Sequence, residues 1–129
     1  MWRIILILYM QTTQFQNESA VDAVTADDHK RRLLYSIAFH ESGHREDIAI
    51  CKKLGTAGEK TAWQILERPS ERGRLCKTRE GDARVALERL EESLRACAHL
   101  KPEWRLAVYT RGNCNSVEGR RLSEIRYVP

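Results

Sequence analysis

The stretch Asp27-Asp28-His29-Lys30-Arg31-Arg32-Leu33-Leu34-Tyr35-Ser36-Ile37-Ala38-Phe39-His40-Glu41-Ser42-Gly43-His44 decides how the rest of this chain is read. Either aspartate is a good N-cap, and acidic residues suit a helix start. Leu33, Leu34, Ile37, Ala38 and Glu41 then recur at helical spacing. At about 100° per residue, Leu34, Ile37 and Glu41 share one stripe, so an ionisable carboxyl sits on an apolar face. Gly43 follows at once and marks the helix end. Glu41 is therefore either a helix-end residue bending out to solvent or a desolvated acid with work to do.

Working outward, the most regular segment runs from Asp82 to Leu100. Ala83, Ala86, Leu87, Leu90, Leu94, Cys97 and Ala98 form one apolar stripe, and Arg84–Glu88 and Glu91–Arg95 are i,i+4 pairs on the wet side. This reads as scaffold. Pro102 suits the first position of another helix through Glu103–Arg111, which Gly112 stops. Between the two clear helical regions the signal is mixed. Residues 47–51 fit a short strand or one helical turn, Gly55-Thr56-Ala57-Gly58-Glu59 is a turn, and residues 67–79 form a charged loop. The tail 115–129 is polar and basic, with Ile125, Tyr127 and Val128 docking back.

At 129 residues the chain makes one domain, and 31% charged residues against 42% apolar place it among globular proteins. No apolar run is long enough to span a bilayer. The net charge of +4 suits an acidic polymer as partner. The positive residues are interleaved with carboxylates, and there is no basic block with stacking aromatics, which argues against nucleic acid. The opening Met1-Trp2-Arg3 followed by Ile4–Met10 resembles the front of a secretory signal. Residues 21–26 offer small residues where a signal peptidase reads them, so 1–26 is read as a leader segment and 27–129 as the domain. The competing reading is a strand or helix packed on the core.

Four cysteines, Cys51, Cys76, Cys97 and Cys114, stand in no C-x-x-C pair, and an even count in a small exported domain favours two disulfides. If 80–99 is one helix, Cys97 lies about 25 Å along it from residue 80. A bond from Cys97 to Cys76 is then out of reach. An antiparallel helix ending at Gly112 would carry Cys114 toward Cys76, so the expected pairs are Cys76–Cys114 and Cys51–Cys97.

Two motifs compete for Glu41. His40-Glu41-Ser42-Gly43-His44 is a literal H-E-x-x-H, which on a continuous helix would hold Zn²⁺ between His40 and His44 with Glu41 activating the water. No third ligand stands in a recognisable second motif. The other reading uses three blocks: Ser36–Gly43; Gly55–Glu59 with Ala62-Trp63-Gln64-Ile65; and Leu106-Ala107-Val108-Tyr109-Thr110-Arg111-Gly112-Asn113-Cys114. In order and in spacing, 23 residues from Glu41 to Gln64 and 45 from Gln64 to Tyr109, they resemble the lysozyme-like superfamily, specifically domains of the soluble lytic transglycosylase type.

That resemblance covers about residues 30–115. It implies a mainly α, lysozyme-like α+β fold, with a small irregular or β-hairpin segment forming one side of a cleft. It implies Glu41 as catalytic acid, Ser42 closing the helix end, Gln64 lining the sugar cleft and Tyr109 bonding near Glu41. The usual Asn after the Tyr is Thr110, and the segment after Gly43 departs from the common pattern. The implied activity is cleavage of peptidoglycan glycan strands, by an exported monomer with neither metal nor cofactor. A two-carboxylate hydrolase would need a second acid, for which Glu59, Asp47 and Glu46 are candidates; the single-acid route needs none. The remaining alternatives are the zinc peptidase and a non-catalytic helical binding domain.

Overall fold

The computed structural model describes residues 2–129, except the side chains of Trp2, Leu6, Ile7, Tyr9 and Met10. The fold is mainly α-helical. Helix α1 spans Trp2–Val24, α2 Asp28–Ser42, α3 Glu46–Ala49, α4 Arg79–Ala96, α5 Ala107–Arg111 and α6 Val117–Arg126. Short 3₁₀ turns lie at Pro69–Glu71 and Pro102–Trp104. No strand occurs among the described residues. An isolated antiparallel bridge joins Lys60 to Ile65 inside the long irregular segment between α3 and α4. No described helix is long and apolar enough to cross a membrane.

The helices start and stop where local chemistry requires. The Asp27 carboxylate accepts from the Lys30 N–H at the start of α2, the Thr78 hydroxyl from Gly81 at the start of α4, and the Ser116 hydroxyl from Gly119 at the start of α6. Helix α2 ends at Gly43, whose φ of 59° is left-handed and whose N–H reaches the Phe39 carbonyl. The apolar stripes then close one core. Leu33, Leu34, Ile37 and Ala38 of α2 meet Val85, Ala86 and Leu90 of α4, with Trp63, Ile65 and Leu106 from the connecting segments. Helix α4 is the central element, in contact with α1, α2 and α5.

Thr13, Asn17, Ala20 and Val21 are buried on α1, with Asn17 four residues after Thr13 and Ala20 and Val21 three and four residues after Asn17. The second half of the stretch read as a leader therefore packs on the core. Met1 and the side chains of Leu6, Ile7, Tyr9 and Met10, part of the apolar run on which that reading rested, lie outside the described residues. Of the rest of the run, Ile4, Ile5 and Leu8 are exposed.

Two expectations are corrected. The segment 103–111 is not one helix. After the turn at Pro102–Trp104 the chain bends, because Ser93 donates its hydroxyl to the Arg105 carbonyl (2.7 Å) and the Leu106 N–H donates to the Ser123 hydroxyl (3.0 Å). These side chains satisfy backbone groups that a continuous helix would have paired. Helix α5 is therefore only one and a half turns long. It crosses α4 at Ser93, one turn from Cys97, where Tyr109 donates its N–H to the same hydroxyl.

That geometry also overturns the expected disulfide pairs. Cys114 returns to the near end of α4 and bonds Cys97, while Cys76, in the loop before α4, bonds Cys51 just after α3. The Cα separations are 5.9 Å for Cys51–Cys76 and 5.5 Å for Cys97–Cys114. The exclusion of Cys76–Cys97 holds. Asp82, nearly fully buried, accepts the Cys76 N–H (2.8 Å), and burial pushes its carboxyl up to about 6. The bonds close loops of 25 and 17 residues, so each should contribute about 3 kcal/mol.

Non-reducing peptide mapping should return Cys51–Cys76 and Cys97–Cys114 peptides. The Cys97→Ser/Cys114→Ser double variant should lose about 3 kcal/mol in urea unfolding; recovery of a Cys76–Cys114 peptide would contradict the helix geometry.

Candidate functional site

Glu41 sits in the last turn of α2, with about a quarter of its side chain exposed. It is not the unaccompanied acid that the apolar stripe suggested. Arg126, from the end of α6, donates its Nε–H to Glu41 Oε1 at 2.7 Å. Among the described residues, no hydrogen bond ends on Oε2. Ser42, the next residue, is buried and donates its hydroxyl to the Ala38 carbonyl (2.8 Å), one turn back in its own helix.

The segment 60–66 is tied to α2 by Trp63. Its indole is 1% exposed and donates Nε1–H to the Leu34 carbonyl (3.0 Å). The turn around it is tight. Lys60 and Ile65 exchange both backbone hydrogen bonds, and Thr61 and Gln64 both hold positive φ, 73° and 50°. Side-chain-bearing residues adopt that conformation only when their surroundings fix it. Gln64 donates from Nε2 to the Thr61 carbonyl (2.9 Å). Its side-chain oxygen and the Glu59 carboxylate both crowd Gly55, where any Cβ would collide with them. Glu59 in turn accepts the Ala57 N–H (2.7 Å). This candidate second carboxylate therefore braces its own turn.

Tyr109 joins these parts. Its hydroxyl donates to the Trp63 carbonyl at 2.9 Å, bridging α5 to the residue before Gln64. Burial pushes the phenol far above its usual range, and the negative charge of Glu41 raises it further; Arg89 and Arg126 oppose the rise. The phenol remains a neutral donor at any physiological pH. Arg89 grips Glu71 with two hydrogen bonds (2.7 and 2.6 Å) and also reaches the Leu66 carbonyl (2.6 Å). That grip holds the Glu71 carboxyl below the usual carboxylate range.

The H-E-x-x-H residues diverge. The helix stops at Ser42, and His44 has φ 54°, so the two imidazoles do not share a helical face. His44 is buried, with Nδ1 3.1 Å from the Asn17 amide nitrogen. Arg79 donates to the Asn17 oxygen (3.3 Å), which fixes the amide so that its NH₂ faces His44. Arg79 also pairs with Glu46, whose other oxygen accepts from Thr13 (2.8 Å). Burial holds His44 below the usual imidazole range. His40 is lowered by burial and by Arg126, against the opposite pull of Glu41. Among the described residues, no group of three His, Cys, Asp or Glu is arranged to hold a metal ion. A groove of about 370 Å³ lies along α1, lined among the described residues by Ile5, Leu8, Thr12, Thr13, Gln16 and Glu46; of these, Glu46 is a candidate second carboxylate, and Glu41, Ser42, Glu59, Gln64 and Tyr109 are not in this described lining.

Arg126 is the site residue that sequence reasoning missed. Ser116 with Glu118 was a readable helix start, but the strongly charged composition of 117–126 hid its inward face. No protein-family model, curated protein or solved structure matches the chain.

Tyr109→Phe removes the donor to the Trp63 carbonyl and should cost about 1–2 kcal/mol in urea unfolding; a loss within error would show that this bridge does not hold the segment. His44, neutral in the fold, loses stability as pH falls below the ordinary imidazole range, where only the unfolded chain takes the proton. His44→Gln should flatten the stability profile as pH falls through the ordinary imidazole range. Asp82 acts in the opposite sense, and comparing native protein with the variant cancels it. Equal slopes would contradict the buried neutral imidazole.

Proposed function

We propose that the chain cleaves the glycan strands of peptidoglycan, with Glu41 as general acid and base. One observation carries the reading. The second and third blocks, far apart in sequence, meet where the Tyr109 hydroxyl bonds the Trp63 carbonyl, and the charge of Glu41, from the first block, adds to the rise that burial gives the Tyr109 phenol. That convergence accords with the resemblance on which the blocks were first grouped. A partly exposed carboxyl at a helix end, held on one oxygen by Arg126, suits proton transfer to a bound sugar from the other.

In the single-acid route Glu41 donates its proton to the glycosidic oxygen as the C1–O bond breaks. The substrate's own N-acetyl group stabilises the positive charge at C1. Glu41, now a carboxylate, removes the proton from the C6 hydroxyl, and the C6 oxygen closes on C1 to give an anhydro-muramyl end. Atoms balance without water, and no metal or cofactor takes part. Ser42 keeps the helix end closed, and Gln64 lines the sugar side. Glu59 would be required only for hydrolysis, and its bond to Ala57 favours the route without it. Two disulfides support an exported protein, and the net charge of +4 suits an acidic wall polymer.

A second reading, a non-catalytic helical binding domain, draws on the Glu41–Arg126 pair, which by itself is an ordinary structural contact. The two readings separate cleanly. Native protein should clear a peptidoglycan suspension, and Glu41→Gln should reduce the rate at least about 1,000-fold with the unfolding midpoint within a few degrees of native. Undiminished clearing by folded Glu41→Gln would remove Glu41 from the chemistry.

A further inference from the structure

The C-terminal segment is strapped along the helix that carries Glu41, and Arg126 is where the strap meets it. Ser36 donates its hydroxyl to the Arg126 carbonyl (2.8 Å), His29 Nε2 lies 3.1 Å from the Val128 carbonyl, and Arg32 donates to the Pro129 carbonyl (3.1 Å). Tyr127 packs on the core and stands edge-on to His29. All four contacts anchor the tail to α2. The Arg126 guanidinium is itself held from two sides. It donates from Nη1 to the Leu122 carbonyl of its own helix (3.1 Å) and from Nε to Glu41 Oε1 (2.7 Å), with only 12% of its side chain exposed. A guanidinium fixed in this way holds a carboxylate in one orientation more firmly than a mobile surface cation does.

We propose that Arg126 is the positioning residue for Glu41, anchoring Oε1 so that Oε2 is the oxygen that exchanges the proton with the sugar. This rests on the glycosidase reading above. It assigns the two oxygens different tasks, as the contacts already do: Oε1 takes the guanidinium, and among the described residues Oε2 takes no hydrogen bond. The titratable or charged groups that feel or touch the carboxyl are Arg126 from α6, the neutral Tyr109 from α5 and His40 from its own helix. Of these only Arg126 donates to it. A structural ion pair alone would affect stability; a positioning role affects turnover, because a carboxyl free to rotate spends little time aligned with the glycosidic oxygen.

The test is steady-state kinetics on soluble peptidoglycan glycan fragments with native protein, Arg126→Gln and Arg126→Lys, beside ¹⁵N NMR of the arginine Nε–H in the unliganded protein. Arg126→Gln should lower kcat about 10- to 100-fold with KM within twofold of native. Arg126→Lys, which keeps a cation but not the planar donor, should recover part of that loss. The Arg126 Nε–H should be protected from exchange in native protein and lose that protection in Glu41→Ala, which removes the acceptor. If Arg126→Gln does not fold, the lysine variant decides, since a several-fold fall in kcat at constant KM is still expected of it. Native kcat in a folded Arg126→Gln, or in Arg126→Lys where that is the readable variant, overturns the positioning role while leaving the glycosidase reading intact. Native protein that cleaves none of the fragments overturns both, whatever the NMR shows.

Discussion

The burial of Trp63 is the constraint on which the rest of the architecture depends. The segment from Ile50 to Thr78 has no regular element beyond one 3₁₀ turn, so it has few backbone hydrogen bonds of its own to hold it. A fully buried indole, bonded to the Leu34 carbonyl, fixes the middle of that segment against α2. Removing a side chain of this size from water contributes several kcal/mol, enough to stabilise the positive φ angles on either side of it. Once Trp63 is seated, its carbonyl faces the Tyr109 hydroxyl, and α5 is tied to α2 through it. The disulfide to Cys51 and the Arg89–Glu71 pair hold the far part of the segment to α4 and α3.

A second, polar junction does comparable work at the other side of the bundle. Thr13 and Asn17 of α1, His44 after α2, Glu46 of α3 and Arg79 of α4 form one connected set of hydrogen bonds. Each buried polar atom has a partner, which is what allows such a cluster to persist in a core. It also gives His44 a structural task. The left-handed turn at Gly43 swings the imidazole inward to Asn17, away from any face shared with His40.

Much of this was legible in the sequence, where apolar residues alone filled the inward positions. Helix α2, its Gly43 stop and the amphipathic stripe of α4 follow from periodicity, because Leu34, Ile37, Ala86 and Leu90 occupy the core without polar interruption. Helix α1 was hidden by the same rule: its inward stripe is Thr13, Asn17, Ala20 and Val21, half of it polar, so its regularity resembles a leader's polar end. Helix α6 was hidden by charge. The disulfides were misassigned because a 3₁₀ turn and two serine hydroxyls, Ser93 and Ser123, bend the chain at Arg105–Leu106. No local propensity announces that bend. At the site, Glu41 and Tyr109 stood out by pattern, whereas Arg126 is 85 residues from Glu41 and becomes its partner only when the tail folds back along α2.

The account's central claim is that this helix-end carboxyl breaks glycosidic bonds without a second acid. Mass spectrometry of purified peptidoglycan glycan strands incubated with native protein tests it most directly. The account predicts new fragments whose muramyl ends lack one water, in the anhydro form that internal attack by the C6 oxygen produces. Strands recovered at their starting length, or fragments carrying the added water of a two-carboxylate hydrolysis, would contradict it.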